Sequence, residues 1–162
     1  MTVTNASGTS AAYNITVNAL QPGLLAPAAF NIGGKQYVVA QFPDGTFVLP
    51  PNAIAGLTTR QAKPGETVTI YGVGFGPVKD SGGQNIPAGT IVTGLNSLAN
   101  SFTMSIGGTN ATLSYGGLAT NFVGLYQFNV VVPNIANNDL APLTTSLNGT
   151  AGPQTLFFAV KQ

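Results

Sequence analysis

The chain has 162 residues, of which 44% are hydrophobic and only 6% are charged, and its formal net charge is +1. This length fits one domain with a buried core, and the five Lys and Arg residues are too dispersed to form a basic patch for nucleic acid or an anionic membrane. The absence of His and Cys excludes Ser-His-Asp and Cys-His catalysis, zinc-finger and zinc-hydrolase sites and haem-histidine sites, so no catalytic residue, metal or other cofactor is expected.

The first 19 residues are rich in Thr, Asn and Ser and contain one alternating stretch. Tyr13, Ile15 and Val17 alternate with polar residues, which predicts a strand with one wet face. The start lacks the basic and apolar regions of a signal peptide, and no run approaches the roughly 20 apolar residues of a membrane helix. We expect residues 1–19 to be a strand or linker, the tail of a preceding module in a longer exported bacterial chain. Strand 13–17 would pair in cis or with another copy.

A β-hairpin is predicted over residues 37–49. Two apolar runs, 37–42 and 46–49, flank the turn sequence Pro43-Asp44-Gly45, so Asp44 is expected in a turn. A two-stranded ribbon cannot cover both of its faces. The hairpin aromatics Tyr37, Phe42 and Phe47 are therefore the candidate patch for a ligand or partner, with packing against the main sandwich as the alternative.

The most patterned stretch of the chain is residues 64–78. Val68 and Ile70 alternate with Thr67, Thr69 and Tyr71, which predicts a half-buried strand. Glycines at 72, 74 and 76 predict a sharply bent strand end at which backbone passes close to backbone and Val73 and Phe75 enter the core. No helix opens after these glycines, because Pro77, Gly82, Gly83 and Pro87 follow, and this argues against a phosphate-binding loop.

The remaining strands are predicted from alternation and turn residues. Residues 79–100 form a long loop with one short strand at 90–92. A hairpin or tight strand pair joins 102–106 to 111–115, and its inward set is Phe102, Met104, Ile106, Leu113 and Tyr115 or their neighbours. The strand within 124–133 buries Tyr126, Phe128, Val130 and Val132, and the last pair joins 143–147 to 154–160. No segment shows helical periodicity, so the prediction is an all-β sandwich.

From about Lys63 onward, the order of motifs resembles the IPT/TIG branch of immunoglobulin-like domains. Residues 20–162 as a whole are still more similar to an uncharacterised C-terminal domain family first noted in Solibacter-type Acidobacteria. The motifs that carry this resemblance are Gln21-Pro22-Gly23-Leu24, Pro64-Gly65-Glu66, residues 70–78, Ser105-Ile106-Gly107-Gly108, Tyr115-Gly116-Gly117 and residues 124–133. The resemblance implies an immunoglobulin-like β-sandwich with an added N-terminal strand and β-hairpin, at the end of large exported proteins. It implies no activity and no functional residues.

Carboxylate chemistry has four candidates in Asp44, Glu66, Asp80 and Asp139, all in turn, loop or strand-start contexts. A glycosidase needs two carboxyl groups facing each other across a cleft, which these contexts do not favour. The cluster Asn137-Asn138-Asp139 is a weak candidate for Ca²⁺, with a plain polar loop as the alternative. A Lys–Asn cross-link promoted by Glu66 beside Lys35 or Lys63 is a further minor alternative to a solvated lysine.

Three functions follow from these patterns. The first is a non-catalytic structural or interaction module that spaces or attaches an exported protein at the cell surface, with other modules of the same chain as its partners. The second is a carbohydrate-binding accessory module that uses Tyr37, Phe42 or Phe47 to hold a polysaccharide. The third is a subunit of an extracellular polymer that exchanges strand 13–17 between copies. Nucleic-acid binding and membrane insertion are not expected.

Overall fold

A computed structural model describes residues 1–162 and contains seventeen strands, one short 3-10 helix at Ala28–Phe30 and no α-helix. The first nine strands are β1 (Thr4–Asn5), β2 (Gly8–Thr9), β3 (Gly23–Leu24), β4 (Asn31–Ile32), β5 (Lys35–Gln36), β6 (Ala40–Gln41), β7 (Phe47–Val48), β8 (Thr59–Arg60) and β9 (Thr67–Val73). The other eight are β10 (Val78–Asp80), β11 (Asn96–Leu98), β12 (Phe102–Ile106), β13 (Thr109–Leu118), β14 (Tyr126–Val131), β15 (Asn138–Leu147), β16 (Thr150–Ala151) and β17 (Leu156–Val160). The all-β prediction is confirmed.

The larger strands form two layers with the core between them. One layer contains β14, β9, β6, β7 and β8 in that order, with β3 beside β9. The other contains β12 and β15, with β16 and β17 paired to β15. Apolar side chains at alternate positions fill the space between the layers, and the largest fully buried ones are Phe75, Phe128 and Phe158. This is a β-sandwich in which every second side chain of the strands in both layers points into the core.

The layers are joined along both sides. Strand β13 belongs to both, since Ala111 pairs with β12 and the residues from Thr112 onward pair with β14. On the other side, Val38 and Ala62 donate backbone hydrogen bonds to β17, at 3.2 Å to Phe157 O and 2.9 Å to Ala159 O. The outer edge of β17 is thereby paired and is not available to the strand of another chain.

The glycine-rich end of β9 is confirmed as a close backbone crossing. Gly74 adopts φ +79° and Gly76 φ +88°, both in the left-handed region that favours glycine. A Cβ atom on Gly74 would overlap the carbonyl oxygen of Gln21, and one on Gly76 would overlap the Leu20 side chain. Between them Phe75 enters the core with only 1% of its surface exposed, whereas Val73, also expected inside, is 46% exposed.

Two predicted strands are absent. Residues 10–19 have no regular structure. A short hairpin of β1 and β2 precedes them, and backbone hydrogen bonds from Ser10 to Val3 and between Tyr13 and Met1 extend it, but residues 14–19 have no backbone pairing. Alternation at Tyr13, Ile15 and Val17 could not form a strand by itself, because a strand needs a partner for its backbone hydrogen bonds. The predicted strand 90–92 is also missing, and the extended pairing in this loop is instead between β10 and β11.

We predict that Gly74→Ala destabilises the fold by at least about 2 kcal/mol, since the new Cβ meets backbone at a φ that alanine rarely adopts. Chemical denaturation measures the change. Gly94→Ala is the matched control because a Cβ there meets nothing within 4 Å, and it should stay within about 0.5 kcal/mol of the unmodified chain. Equal stability of Gly74→Ala and the control would contradict the close crossing.

Candidate functional site

The aromatic patch predicted on the hairpin is not an exposed platform. Tyr37 and Phe42 are only 3% and 4% exposed, and Phe47 is half-buried. Tyr37 donates a hydrogen bond of 2.9 Å to Asp139 O, and Phe47 packs edge-to-face on Phe30 with ring centroids 5.5 Å apart. The prediction of exposed rings is therefore wrong for Tyr37 and Phe42, and the structure does not bring the three rings together as a stacking surface.

The hairpin is buried because it is not an isolated ribbon. Ala40 and Gln41 of β6 pair with Ile70 and Thr69 of β9, so the hairpin continues a layer of the sandwich. Its turn is as predicted, with Gly45 at φ +85° and Asp44 Oδ1 accepting a hydrogen bond of 2.9 Å from Thr46 N. That backbone hydrogen bond lowers the pKa of Asp44. The turn could be predicted because its residues are adjacent in sequence. The burial of the hairpin could not, because the strand that it pairs with is distant in sequence.

One ion pair covers the buried ring of Phe42. The Arg60 guanidinium lies 3.4 Å from the centre of this ring. It also holds the Glu66 carboxylate through two hydrogen bonds, of 2.8 Å from Nη1 and 3.0 Å from Nη2. These bonds lower the pKa of Glu66, with a further contribution from the Lys63 backbone N–H. The arrangement is a bidentate pair stacked on an aromatic face, which fixes β8 against the start of β9.

The other two carboxylates, Asp80 and Asp139, also accept hydrogen bonds from within the chain. Asp80 Oδ1 accepts hydrogen bonds of 2.9 Å from the backbone N–H groups of Gly82 and Gln84, closing a turn. Asp139 Oδ1 accepts one of 2.9 Å from Gln61 Nε2. These contacts assign Asp80 a role in turn geometry and Asp139 a role in holding the chain near β8.

The structure does not support the calcium site or the Lys–Asn cross-link that the sequence suggested as alternatives. Asn137 Oδ1 accepts from Gln162 N at 2.7 Å and Asn138 Oδ1 from Leu140 N at 2.8 Å, so both oxygens are used by backbone rather than aimed at a cation. The Lys35 ammonium lies 5.5 Å from the centre of the Phe157 ring, and the Glu66 carboxylate faces Arg60. Glu66 thus forms its ion pair with Arg60 and not with Lys35 or Lys63, although the charge of Lys63 contributes a smaller lowering of the Glu66 pKa.

A polar cavity of 610 Å³ lies on the outer face of the layer that contains β14. Its lining combines hydroxyl and amide side chains with one leucine and one tyrosine and contains no charged residue; it comprises Thr93, Gly94, Leu95, Ser114, Tyr115, Thr120, Gln127 and Asn129. The floor is strand surface, since Gln127 and Asn129 belong to β14 and Tyr115 to β13. The segment 93–95 forms a wall over it.

A β-bulge places Tyr115 in this cavity. Leu113 pairs with Val130 but Tyr115 pairs with Asn129, so Ser114 is the additional residue on β13. The bulge reverses the alternation, and Tyr115 lies on the outer face while Leu113 packs against the core. The sequence pattern placed both side chains inside, which is wrong for Tyr115. Partial burial of this tyrosine raises its pKa.

A buried asparagine holds the cavity wall. Asn96 is only 6% exposed. Its Oδ1 accepts a hydrogen bond of 2.6 Å from Leu118 N, and its Nδ2 donates to Leu118 O at 3.2 Å and to Gly94 O at 3.3 Å. The side chain thus ties segment 93–95 to the end of β13. Sequence reasoning missed Asn96, because an asparagine in a loop carries no signal for a partner 22 residues away.

A second cavity of 490 Å³ lies at the glycine end of β9 and is lined in part by Asn18, Ala19 and Gln21. Tyr126 borders it and donates its hydroxyl to Gly76 O, and burial raises the pKa of this tyrosine. Because the same hydroxyl fixes the bent strand end, we assign this region a role in the fold.

Comparison of the chain with protein-family models, with curated proteins and with solved structures found no match. None of the helical structure in the chain is long and apolar enough to cross a membrane.

We predict that Glu66→Gln lowers the free energy of unfolding at neutral pH by about 0.5–1.5 kcal/mol, because it removes the charge from the bidentate pair. The folded-state pKa of Glu66 is depressed, so the lost stabilisation is present above the ordinary glutamate pKa of about 4.3 and disappears as pH falls through the folded value. The gap between the two proteins should therefore narrow in acid, as measured by urea unfolding across pH.

Asp139→Asn is the matched control, since its amide oxygen can still accept the hydrogen bond from Gln61. It should lie within about 0.5 kcal/mol of the unmodified chain at neutral pH. A Glu66→Gln gap that is independent of pH would contradict the assignment.

Proposed function

We propose that this chain is a non-catalytic structural or interaction module, of the immunoglobulin-like sandwich type found in IPT/TIG domains. Its role is to space or attach an exported bacterial protein at the cell surface, near the C-terminal end of that protein. The order of motifs from Lys63 onward supports the fold type, and the low charge with abundant Thr, Asn, Ser and Gly supports export.

The observation that carries this proposal is the closure of the sandwich along both sides. Strand β13 joins the layers on one side, and the backbone of Val38 and Ala62 pairs with β17 on the other. A spacer beside other β modules must limit pairing with their strand edges, and the closed sides at β13 and β17 support this role. Residues 1–19 are almost wholly exposed, which suits a connecting segment.

The non-catalytic part of the proposal is supported by how the acidic groups are used. Asp44 and Asp80 accept backbone hydrogen bonds in turns, Glu66 is paired with Arg60, and Asp139 accepts from Gln61. With no His or Cys in the chain, these four groups are the main candidates for acid–base chemistry.

Self-association through residues 13–17 is a second candidate function, favoured by one observation. Tyr13, Ile15 and Val17 are 73%, 54% and 83% exposed, and the segment has no backbone pairing after Tyr13, which pairs with Met1. An alternating apolar segment of this kind can add as a strand to another chain. The module would then be a subunit of an extracellular polymer.

We predict that residues 20–162 fold without the preceding segment. Deletion of residues 1–19 should shift Tm by less than about 2 °C, because these residues contribute no side chain to the core. Thermal unfolding by circular dichroism measures this, and sedimentation velocity of both proteins gives the state of association. Oligomers that disappear on deletion would establish the second candidate function. A monomer in both cases would exclude it, and loss of folding would contradict the assignment of residues 1–19 as a connector.

We predict that an antibody against residues 20–162 labels intact cells of the source bacterium. Flow cytometry before and after permeabilisation measures the labelling, and an antibody against a cytosolic protein is the control. Surface labelling that is removed by external protease is the expected result. Labelling only after permeabilisation would contradict attachment at the cell surface.

A further inference from the structure

We propose that the 610 Å³ cavity on the outer face of β13 and β14 is a binding site for a neutral saccharide. This inference goes beyond the spacing role and can fail without affecting it. The volume lies within the range of about 300–1,000 Å³ that is typical of small-ligand sites. The ligand class follows from the chemistry of the lining.

The floor presents an ordered row of uncharged polar groups. Gln127 and Asn129 project from the same face of β14, and Tyr115 lies opposite Asn129 on β13. On the other side of β14, Tyr71 lies opposite Gln127 and Thr69 opposite Asn129, which continues the polar face beyond the cavity. A sheet face built in this way is rigid, and its side chains hold their spacing when a ligand binds.

These groups retain hydrogen-bonding capacity. Asn129 Oδ1 accepts from Gln127 Nε2 at 2.9 Å and from Thr69 Oγ1 at 3.4 Å, whereas Asn129 Nδ2 and Gln127 Oε1 have no partner within the chain. The floor therefore offers a donor and an acceptor side by side. A sugar hydroxyl both donates and accepts, so a pair of neighbouring hydroxyls matches this arrangement.

The apolar part of the lining comes from Leu95 and Tyr115 and is suited to the C–H face of a sugar ring. Leu95 is 78% exposed on the wall, and Tyr115 lies on the floor beneath the same opening. Aromatic and aliphatic surface beside convergent polar groups is the general composition of a small-ligand site. Against a lipid chain the polar groups of this lining would lose hydration without gaining hydrogen bonds.

The lining also selects against charge. None of the five Lys and Arg or four Asp and Glu residues of the chain lines the cavity. A charged ligand would lose hydration on entering without gaining an opposite charge. We therefore assign a neutral sugar and not an acidic one.

The site is held in place before any ligand binds. The bulge at Ser114 turns Tyr115 outward, and the tyrosine hydroxyl is fixed by a hydrogen bond of 2.8 Å to Leu118 O. Asn96 holds the wall through the backbone of the same Leu118. Bulges occur preferentially where a side chain must be re-aimed, often beside functional sites. Because Tyr115 and the wall are already fixed, ligand binding costs little conformational entropy.

The test is NMR titration of the full ¹⁵N-labelled chain. The probes are linear hexasaccharides of β-1,4-glucose, β-1,4-xylose, β-1,4-mannose and α-1,4-glucose, with oligogalacturonate as the charged comparison. We expect at least one neutral probe to give saturable shifts in the side-chain amides of Gln127 and Asn129 and in the backbone amides of Gly94 and Leu95. Gln127→Ala/Asn129→Ala should weaken that binding by at least about tenfold.

Two further variants keep the test decisive. Thr103→Ala/Thr144→Ala is the matched control, since it removes two exposed polar side chains from strands of the other layer, and it should bind as the unmodified chain does. Leu95→Asp alters only an exposed side chain and should weaken binding by at least about fivefold even if the double variant does not fold. No shift with any neutral probe at millimolar concentration, binding that survives both site variants, or binding of oligogalacturonate alone would overturn the proposal.

Discussion

The packing of Phe75 between the two layers is the contact on which the rest of the sandwich depends. Its ring centroid lies 4.8 Å from that of Phe128 and 5.4 Å from that of Tyr126, both on β14, and 5.1 Å from that of Phe102 on β12. One side chain from beyond the end of β9 therefore touches both layers. It reaches this position because the glycines on either side allow the chain to bend, and because Tyr126 secures the bend through Gly76 O.

Closure of the sandwich decides which surfaces remain for interaction. Side-chain amides complete the backbone pairing where strands end, as Gln154 does by donating to Leu24 O at 2.9 Å and accepting from Leu24 N at 2.7 Å. Asn96 does the same for Leu118. With these strand ends satisfied, the exposed faces and residues 1–19 are the surfaces that we consider for binding. Those faces are nearly uncharged, so recognition there depends on hydrogen bonds and shape more than on electrostatic attraction.

The parts of the fold that could be predicted are those in which the residues that form the pattern belong to one strand or one turn. Alternation along β9 and β14 placed Val68, Ile70, Phe128 and Val130 inside, and all four are buried. The turn at Gly107 and Gly108 joins β12 to β13 as expected, with both glycines at positive φ. Period-two alternation and turn residues are properties of a single strand or hairpin, and they need no knowledge of the neighbouring strands.

The sequence by itself therefore determined an all-β chain, its main strands and its bent glycine end. Only the tertiary structure decided that residues 14–17 have no strand partner, that Tyr37 and Phe42 are buried, and that Tyr115 faces outward. Each of these depends on how distant parts of the chain are arranged. Residues 14–17 pair with no strand, the hairpin packs onto β9 and β17, and the bulge is set by the pairing of β13 with β14. Side-chain direction in a strand follows from its register with its neighbours, and that register is fixed only when the layers assemble.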